Sequence, residues 1–136
     1  GPVILSGWSA GGHLTAMLLD HPEVTAGLAI SGVYELGPIR DTYLDEKLRL
    51  SDNEIETLSP LRLPHVAKPL DITYGTAELW ALVASSRALH TARAECHLPG
   101  ALVPAPGHNH FTILDTLRDP DGFLTRLALT LASTLA

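Results

Sequence analysis

Residues 2–19 read PVILSGWSAGGHLTAMLL, and this stretch decides the fold. An apolar run at 2–5 leads into the pentapeptide GWSAG at 7–11, which has the form G-x-S-x-G, and a helix-like stretch follows at once. Small residues beside the serine let a strand and a helix pack closely across so sharp a turn, which strains the serine backbone. The order strand, turn and helix is typical of a nucleophile elbow with Ser9 at its tip.

The elbow predicts two chemical roles. It projects the Ser9 hydroxyl from the sheet, which makes Ser9 the candidate nucleophile. The following helix directs its amino-terminal N–H groups to the same place, so the backbone N–H of Ala10 is a candidate donor to an oxyanion. Because the pattern also arises by chance in many chains, it needs an acid and a base further along the chain.

The composition indicates one domain, or part of one, with an acidic balance. The chain has 136 residues, and its 9 basic and 15 acidic side chains give a net charge of −6. A negative charge disfavours nucleic acid and anionic membrane surfaces as partners, and no apolar run approaches the roughly 20 residues of a membrane helix. We therefore expect a small-molecule ligand, no nucleic-acid or membrane partner, and a cytoplasmic location. The oligomeric state is left open.

The cysteine and histidine pattern predicts neither a disulfide nor a metal site. Cys96 is the single cysteine, and no cysteine–histidine pair has the spacing of zinc ligands. His108 and His110 lie two residues apart, which on an extended segment directs their side chains to opposite faces. We expect no metal and no cofactor.

Short apolar runs alternate with helix-period stretches, which predicts an α/β fold whose sheet is mostly parallel and flanked by helices. The predicted strands are nearly continuous in apolar residues, as suits strands that helices cover on both faces. They lie at 3–6, 27–31, 70–74 and 101–104. The predicted helices lie at 12–20, 52–58, 79–94 and 122–135. A capping box of Ser51 and Glu54 marks the start of the second helix.

Residues 32–69 form a candidate insertion. The segment holds only short elements and several prolines. In an α/β scaffold such an insertion commonly lies over the site as a cap, and a surface excursion without a role is the alternative.

Ser9 needs a base within hydrogen-bond reach and an acid that orients the base, because a serine hydroxyl is a poor nucleophile at neutral pH. His108 and His110 follow the last predicted strand, at the sheet edge where carboxyl ends meet, and their spacing does not choose between them. The acid should follow the third predicted strand. Glu78 is the only carboxylate at positions 72–94. Its structural alternative is a helix amino-terminal carboxylate that complements the dipole.

With Ser9, Glu78 and a histidine in this order, the chain resembles the carboxyl-terminal half of an α/β-hydrolase. More narrowly, it is similar to the kynurenine formamidase-like esterase/arylformamidase group. Five segments carry the resemblance: GWSAGGHL at 7–14, ISGVYEL at 30–36, LSP at 58–60, residues 78–86 and NHF at 109–111. The segment at 7–14 is shared widely among serine hydrolases, whereas SGVYEL followed by LSP is more particular to this group.

The resemblance implies an α/β-hydrolase fold and assigns the base to His110, the histidine before the phenylalanine. The usual acid of the family is aspartate, whereas this chain has Glu78, which is one methylene longer and is a known alternative in the wider fold. The family's other oxyanion donors come from a His-Gly-Gly-type loop that precedes the elbow, and its first strands precede the elbow too. We therefore expect residues 1–136 to be one partial domain that lacks the amino-terminal strands.

The resemblance also implies a serine hydrolase without a cofactor that cleaves a small carboxyl ester or an N-formyl aryl amide. Trp8 and Tyr34 are the candidate substrate-binding residues, and Trp80 and Phe111 are further aromatic candidates, since each ring suits either an aryl pocket or the core. One alternative is a peptidase domain of the prolyl oligopeptidase type, which would follow a propeller. Another is a non-catalytic binding protein of this fold, or an inactive fragment.

Overall fold

The computed structural model describes residues 1–135. Within them, parallel strands form one four-stranded sheet in the order β1-β2-β3-β4. The strands are β1 (Ile4–Trp8), β2 (Ala26–Ile30), β3 (Leu70–Gly75) and β4 (Leu102–Ala105). The helices are α1 (Ala10–Met17), α2 (Asp45–Leu48), α3 (Asp52–Leu58), α4 (Trp80–Glu95) and α5 (Phe123–Leu135). The predicted α/β fold with a parallel sheet and flanking helices is confirmed.

Each predicted strand and helix is present, and the differences lie mainly at the ends of the elements. The largest is in α1, which is predicted at 12–20 and observed at Ala10–Met17. The helix begins early because the elbow leaves only Ser9 between β1 and α1. The short elements that the sequence analysis missed are too brief for a periodic pattern. They are α2 and the 3₁₀ segments Gly37–Asp41, Pro60–Arg62 and Thr112–Leu117.

Helix α3 has the predicted bounds because its amino terminus is capped as its sequence indicates. The hydroxyl oxygen of Ser51 accepts from the N–H of Glu54 at 3.1 Å, and the carboxylate of Glu54 accepts from the N–H of Ser51 at 3.0 Å. Two N–H groups that would otherwise lack acceptors are satisfied reciprocally. These hydrogen bonds lower the pKa of the Glu54 carboxyl.

The register of the sheet aligns the carboxyl ends of its strands at one edge. Trp8 lies opposite Ile30, and Ile30 lies opposite Thr73. Thr73 in turn lies opposite Val103. The segments that follow the strands therefore begin side by side, which is where side chains from distant parts of the sequence can meet.

Two apolar clusters, one on each face of the sheet, bury its central strands. The cluster beside α1 and α4 consists of Leu19, Val24, Ala29, Tyr34, Leu70, Ile72 and Leu89. The cluster beside α5 consists of Ala26, Leu28, Ile30, Ala105, Ile113, Leu124 and Leu131. Because successive side chains of a strand point to opposite faces, β2 contributes to both clusters and is buried along its whole length.

Strand β1 is an edge strand within residues 1–135. It pairs with β2, and its side chains are partly or fully exposed. The prediction that helices cover the strands on both faces therefore holds for β2 and β3 and not for β1. The expectation that residues 1–136 form a partial domain, with further strands of the sheet preceding β1, stays a prediction.

Residues 32–69 pack on the side of the sheet that carries α1 and α4. The N–H of Tyr34 donates to Ser85 Oγ of α4 at 2.9 Å. His13 Nε2 of α1 lies 2.7 Å from the carbonyl oxygen of Leu58. The segment is thus attached to two helices, and a role as a cap stays a prediction.

Arg93 of α4 connects the end of this segment to the beginning of the sheet. Its side chain is buried, with the residue 4% exposed. The guanidinium donates to the carbonyl oxygens of Val66 at 3.0 Å, Lys68 at 2.7 Å and Pro99 at 3.1 Å. Burial lowers the pKa of Arg93. A planar cation with several donors can satisfy three carbonyl groups at once, which few other side chains can do.

Replacing Arg93 by methionine should lower the free energy of unfolding by about 3 kcal/mol, because three carbonyl groups lose a charged donor. Arg87→Met on the exposed face of the same helix is the matched control and should change it by less than about 0.5 kcal/mol. Urea denaturation measures both. Equal losses in the two variants would show that the Arg93 hydrogen bonds do not hold this junction.

Candidate active site

Ser9 lies in a strained turn at the carboxyl end of β1. Its backbone has φ 58° and ψ −116°, and a positive φ is uncommon for a residue with a side chain. The N–H of Ser9 donates to the carbonyl oxygen of Ile30 at 2.9 Å, and the carbonyl oxygen of Ser9 accepts from the N–H of Gly12 at 2.9 Å. The turn is therefore tied to β2 on one side and to α1 on the other.

Close packing around the elbow explains some of its glycines and not others. A Cβ atom at Gly7 would lie 2.2 Å from the carbonyl oxygen of Gly11, and one at Gly12 would lie 2.9 Å from the Cα of Gly32. A Cβ atom at Gly11 would meet nothing within 4 Å. The turn thus requires glycine at Gly7 and Gly12, whereas the last glycine of the pentapeptide stands beside open space.

The structure brings together the three side chains proposed as nucleophile, base and acid. His110 Nε2 lies 3.1 Å from Ser9 Oγ. His110 Nδ1 lies 2.6 Å from Glu78 Oε1. Ser9 follows β1, Glu78 follows β3 and His110 follows β4, so the contact depends on the aligned carboxyl ends of the sheet.

The Glu78 side chain is completely buried, and both of its oxygens are hydrogen-bonded. Oε1 faces His110, while Oε2 accepts from Ser31 Oγ at 2.6 Å and from the N–H of Gly75 at 2.5 Å. A buried carboxylate requires such donors because it has left water. Sequence reasoning missed Ser31 as a site residue, although its position as the last residue of a predicted strand was a usable signal.

His110 is fixed from its other side by Trp8. The indole Nε1 donates to the His110 carbonyl oxygen at 2.7 Å, and the two rings pack with centroids 4.8 Å apart. Phe111 meets the His110 ring edge-on at 5.3 Å and is 70% exposed. Trp8 therefore lies against the histidine and supports its position, and its predicted contact with substrate stays a prediction.

His108, the other candidate base, contributes its backbone rather than its ring. Its Nδ1 lies 3.3 Å from Thr112 Oγ1. Its carbonyl oxygen accepts from the N–H of Ala77 at 3.0 Å and would lie 2.1 Å from a Cβ atom at Gly75. Glycine is thus required where the His108 loop crosses the loop that carries Glu78.

Tyr34 and Ala10, the remaining predicted site residues, occupy contrasting positions. Tyr34 is completely buried in the cluster beside α1 and α4, and burial raises the pKa of its phenol. Its hydroxyl has no hydrogen-bond partner within residues 1–135. As placed, the ring serves the core, and a substrate contact by Tyr34 stays a prediction. Ala10 is the first residue of α1, so its N–H has no acceptor within the helix.

Residues 1–135 contain no group of three or more histidine, cysteine, aspartate or glutamate side chains that could hold a metal ion. Over the same residues, none of the helices has the length and apolar character needed to cross a membrane.

Comparisons with known proteins agree with this architecture. No family model matches the chain. A kynurenine formamidase from Salmo salar is 29% identical over 146 residues, which cover 92% of this chain and 48% of that protein. The chain spans about half the length of the curated relatives that it matches.

Solved structures share the fold. A candidate thioesterase from Silicibacter sp. TM1040 superposes with a TM-score of 0.76 at 28% identity, over 93% of this chain and 50% of that one. An acylaminoacyl peptidase from Pyrococcus horikoshii superposes with a TM-score of 0.70 at 16% identity, over 81% of this chain and 20% of that one. The second likeness concerns the fold alone.

The parallel sheet, the elbow and these matches define an α/β-hydrolase fold. Within that class the chain is similar to proteins named kynurenine formamidase, which confirms the resemblance found in the sequence.

Gly7→Ala should prevent folding or lower the free energy of unfolding by at least about 3 kcal/mol, because the new methyl group would overlap the backbone at Gly11. Gly11→Ala is the matched control within the same pentapeptide. It should change stability by no more than about 1 kcal/mol, in the stabilising direction, because alanine favours a helix. Urea denaturation of both variants is the measurement. Similar stabilities would contradict the close packing at Gly7.

Proposed function

We propose that the protein is a serine hydrolase in which Ser9 is the nucleophile, His110 the base and Glu78 the acid that orients it. The observation that carries this proposal is the pair of contacts at the histidine, 3.1 Å to Ser9 Oγ and 2.6 Å to Glu78 Oε1. A hydroxyl, an imidazole and a carboxylate in this order allow the imidazole to remove the hydroxyl proton during attack on a carbonyl group.

In the first half of the reaction, Ser9 Oγ forms a bond to the substrate carbonyl carbon while its proton passes to His110 Nε2. The Glu78 carboxylate stabilises the imidazolium through Nδ1, and the Ala10 N–H donates to the oxyanion. When the tetrahedral intermediate collapses, the bond to the leaving nitrogen or oxygen breaks and His110 returns the proton to that atom.

In the second half, water attacks the acyl group on Ser9 and gives a proton to His110. The proton then returns to Ser9 Oγ as the carboxylic acid product leaves, which restores the resting site. No cofactor enters either half. The two halves together hydrolyse one ester or amide bond.

The substrate we propose is an N-formyl aryl amide or a small carboxyl ester. The relatives named kynurenine formamidase favour the amide. Phe111 is exposed and its ring touches the edge of His110, so it offers an aryl group a surface beside the reacting atoms. A peptidase role, the absence of nucleic-acid and membrane partners and a cytoplasmic location stay predictions.

A fluorophosphonate probe should label the protein at Ser9 and fail to label Ser9→Ala. His110→Ala should lower turnover of an N-formyl aryl amide about 10⁴-fold or more, because the base is lost. His108→Ala is the matched control and should retain turnover within about threefold, since the hydrogen-bond partner of its ring among the described residues is Thr112, away from Ser9 and Glu78.

Circular dichroism of each variant checks that the fold is kept. Labelling of Ser9→Ala at the wild-type rate would refute the assignment of the nucleophile. A loss in His108→Ala as large as in His110→Ala would refute the assignment of the base.

Phe111→Ala should raise KM for phenyl acetate about fivefold and leave KM for ethyl acetate nearly unchanged, because an aromatic contact contributes about 1 kcal/mol. Leu129→Ala removes another exposed apolar side chain, from α5, and should alter neither KM. Steady-state kinetics with the two esters measures the ratio of the KM for phenyl acetate to the KM for ethyl acetate in each variant. An equal rise for both esters would show that Phe111 does not recognise the aryl group.

A further inference from the structure

Ser31 stands directly after β2 and has an unusual backbone. It is completely buried, with 0% of the residue exposed, and its φ is 49°. A residue with a Cβ atom in this left-handed region carries a steric cost of about 1 kcal/mol or more, which glycine avoids. The N–H of Ser31 donates to the carbonyl oxygen of Thr73 at 2.8 Å, so the conformation is held by β3. A serine therefore occupies a position where glycine would be conformationally cheaper.

Among residues 1–135, the Ser31 side chain has one hydrogen-bond partner, the proposed acid. Its hydroxyl donates to Glu78 Oε2 at 2.6 Å, and the N–H of Gly75 donates to the same oxygen at 2.5 Å. Two donors on Oε2 leave Oε1 directed at His110. The terminal torsion of a glutamate side chain is broad when nothing holds it, so these donors decide which way the carboxylate plane lies.

Glutamate makes this support more important than aspartate would. The extra methylene adds a torsion between the backbone and the carboxylate, which increases the number of arrangements that must be excluded. Gly75 belongs to β3 and supplies only a backbone N–H. Ser31 is the side chain that fixes the second oxygen.

We propose that Ser31 is a positioning residue for the reaction: its hydroxyl holds Glu78 so that Oε1 faces His110, and the strained backbone is what places that hydroxyl. This inference rests on the proposed function. It concerns a residue that never touches the substrate, so its effect passes through Glu78 and His110. A purely structural role, in which the hydroxyl only satisfies a buried carboxylate, makes different predictions.

Two variants separate the hydroxyl from the backbone strain. Ser31→Ala and Ser31→Gly both lack the hydroxyl, but only alanine keeps a Cβ atom at positive φ. We expect kcat for an N-formyl aryl amide to fall about 10- to 100-fold in both, the range of one hydrogen bond to a charged group. KM should stay within about twofold. The melting temperature should be higher for Ser31→Gly than for Ser31→Ala, because glycine carries no steric cost there.

Ser31→Cys adds a graded variant of nearly the same volume. A thiol is a weaker donor than a hydroxyl, so kcat should fall between those of the wild type and Ser31→Ala. This variant also keeps the core filled, which preserves the test if the smaller residues fold poorly.

The spectroscopic readout is the proton on His110 Nδ1. A proton held in a short hydrogen bond to a carboxylate resonates far downfield in the proton NMR spectrum, and this line should move upfield in all three Ser31 variants. Ser86→Ala is the matched control: Ser86 is also completely buried, and its hydroxyl has no hydrogen-bond partner within residues 1–135. It should leave both kcat and the NMR line unchanged.

The outcomes distinguish this inference from the proposed function. Full turnover in Ser9→Ala would overturn the proposed function and the role of Ser31 with it. If Ser9→Ala is inactive while Ser31→Ala and Ser31→Gly keep kcat within twofold and keep the downfield line, the positioning role alone is overturned. A fall in kcat in Ser31→Ala that Ser31→Gly does not share would also overturn it, because the backbone and not the hydroxyl would then matter.

Discussion

The buried Glu78 carboxylate is the group on which the arrangement of the site depends. A charge removed from water is tolerable only when donors surround it, and the hydrogen-bond partners of this carboxylate come from three parts of the chain. Ser31 comes from the end of β2, Gly75 from the end of β3 and His110 from the loop after β4. Satisfying one carboxylate therefore fixes the relative positions of three strand ends. The direction of the His110 ring towards Ser9 follows from that.

The same backbone hydrogen bond recurs after several strands and helps to place these side chains close together. Beyond the ends of β1, β2 and β3, the next N–H still donates to the neighbouring strand: Ser9 to Ile30, Ser31 to Thr73 and Thr76 to Ala105. The two serines have φ values of 58° and 49°, so each leaves the pleat of its strand while its N–H stays bound. A side chain that would otherwise lie on one face of the sheet is thereby directed to the carboxyl ends of the strands. Backbone strain at both serines is the cost of this placement.

The aromatic residues show how local chemistry can leave a role undecided. Trp8, Tyr34 and Phe111 are all suited to an aryl pocket or to a core. Tertiary packing separates them: Tyr34 is buried among the residues beside α1 and α4, Trp8 lies on the His110 ring, and Phe111 is exposed next to it. The sequence shows how much apolar area an aromatic side chain has, but not the surface against which that area packs.

The sequence by itself determined the alternating elements and the elbow at Ser9 and made Glu78 the candidate acid, because these follow from local periodicity, turn chemistry and the order of residues along the chain. The capping box at Ser51 did the same for the bounds of α3. The tertiary structure brings the ring of His110, and not that of His108, within reach of Ser9 and Glu78, a choice that the spacing left open and the resemblance made. Only the tertiary structure put Ser31 on the second oxygen of Glu78 and made Gly7 rather than Gly11 the glycine that the turn cannot lose. The physical reason is that each of these depends on a distance between atoms brought together by strand register and loop crossing, and such distances have no signature in the spacing of residues.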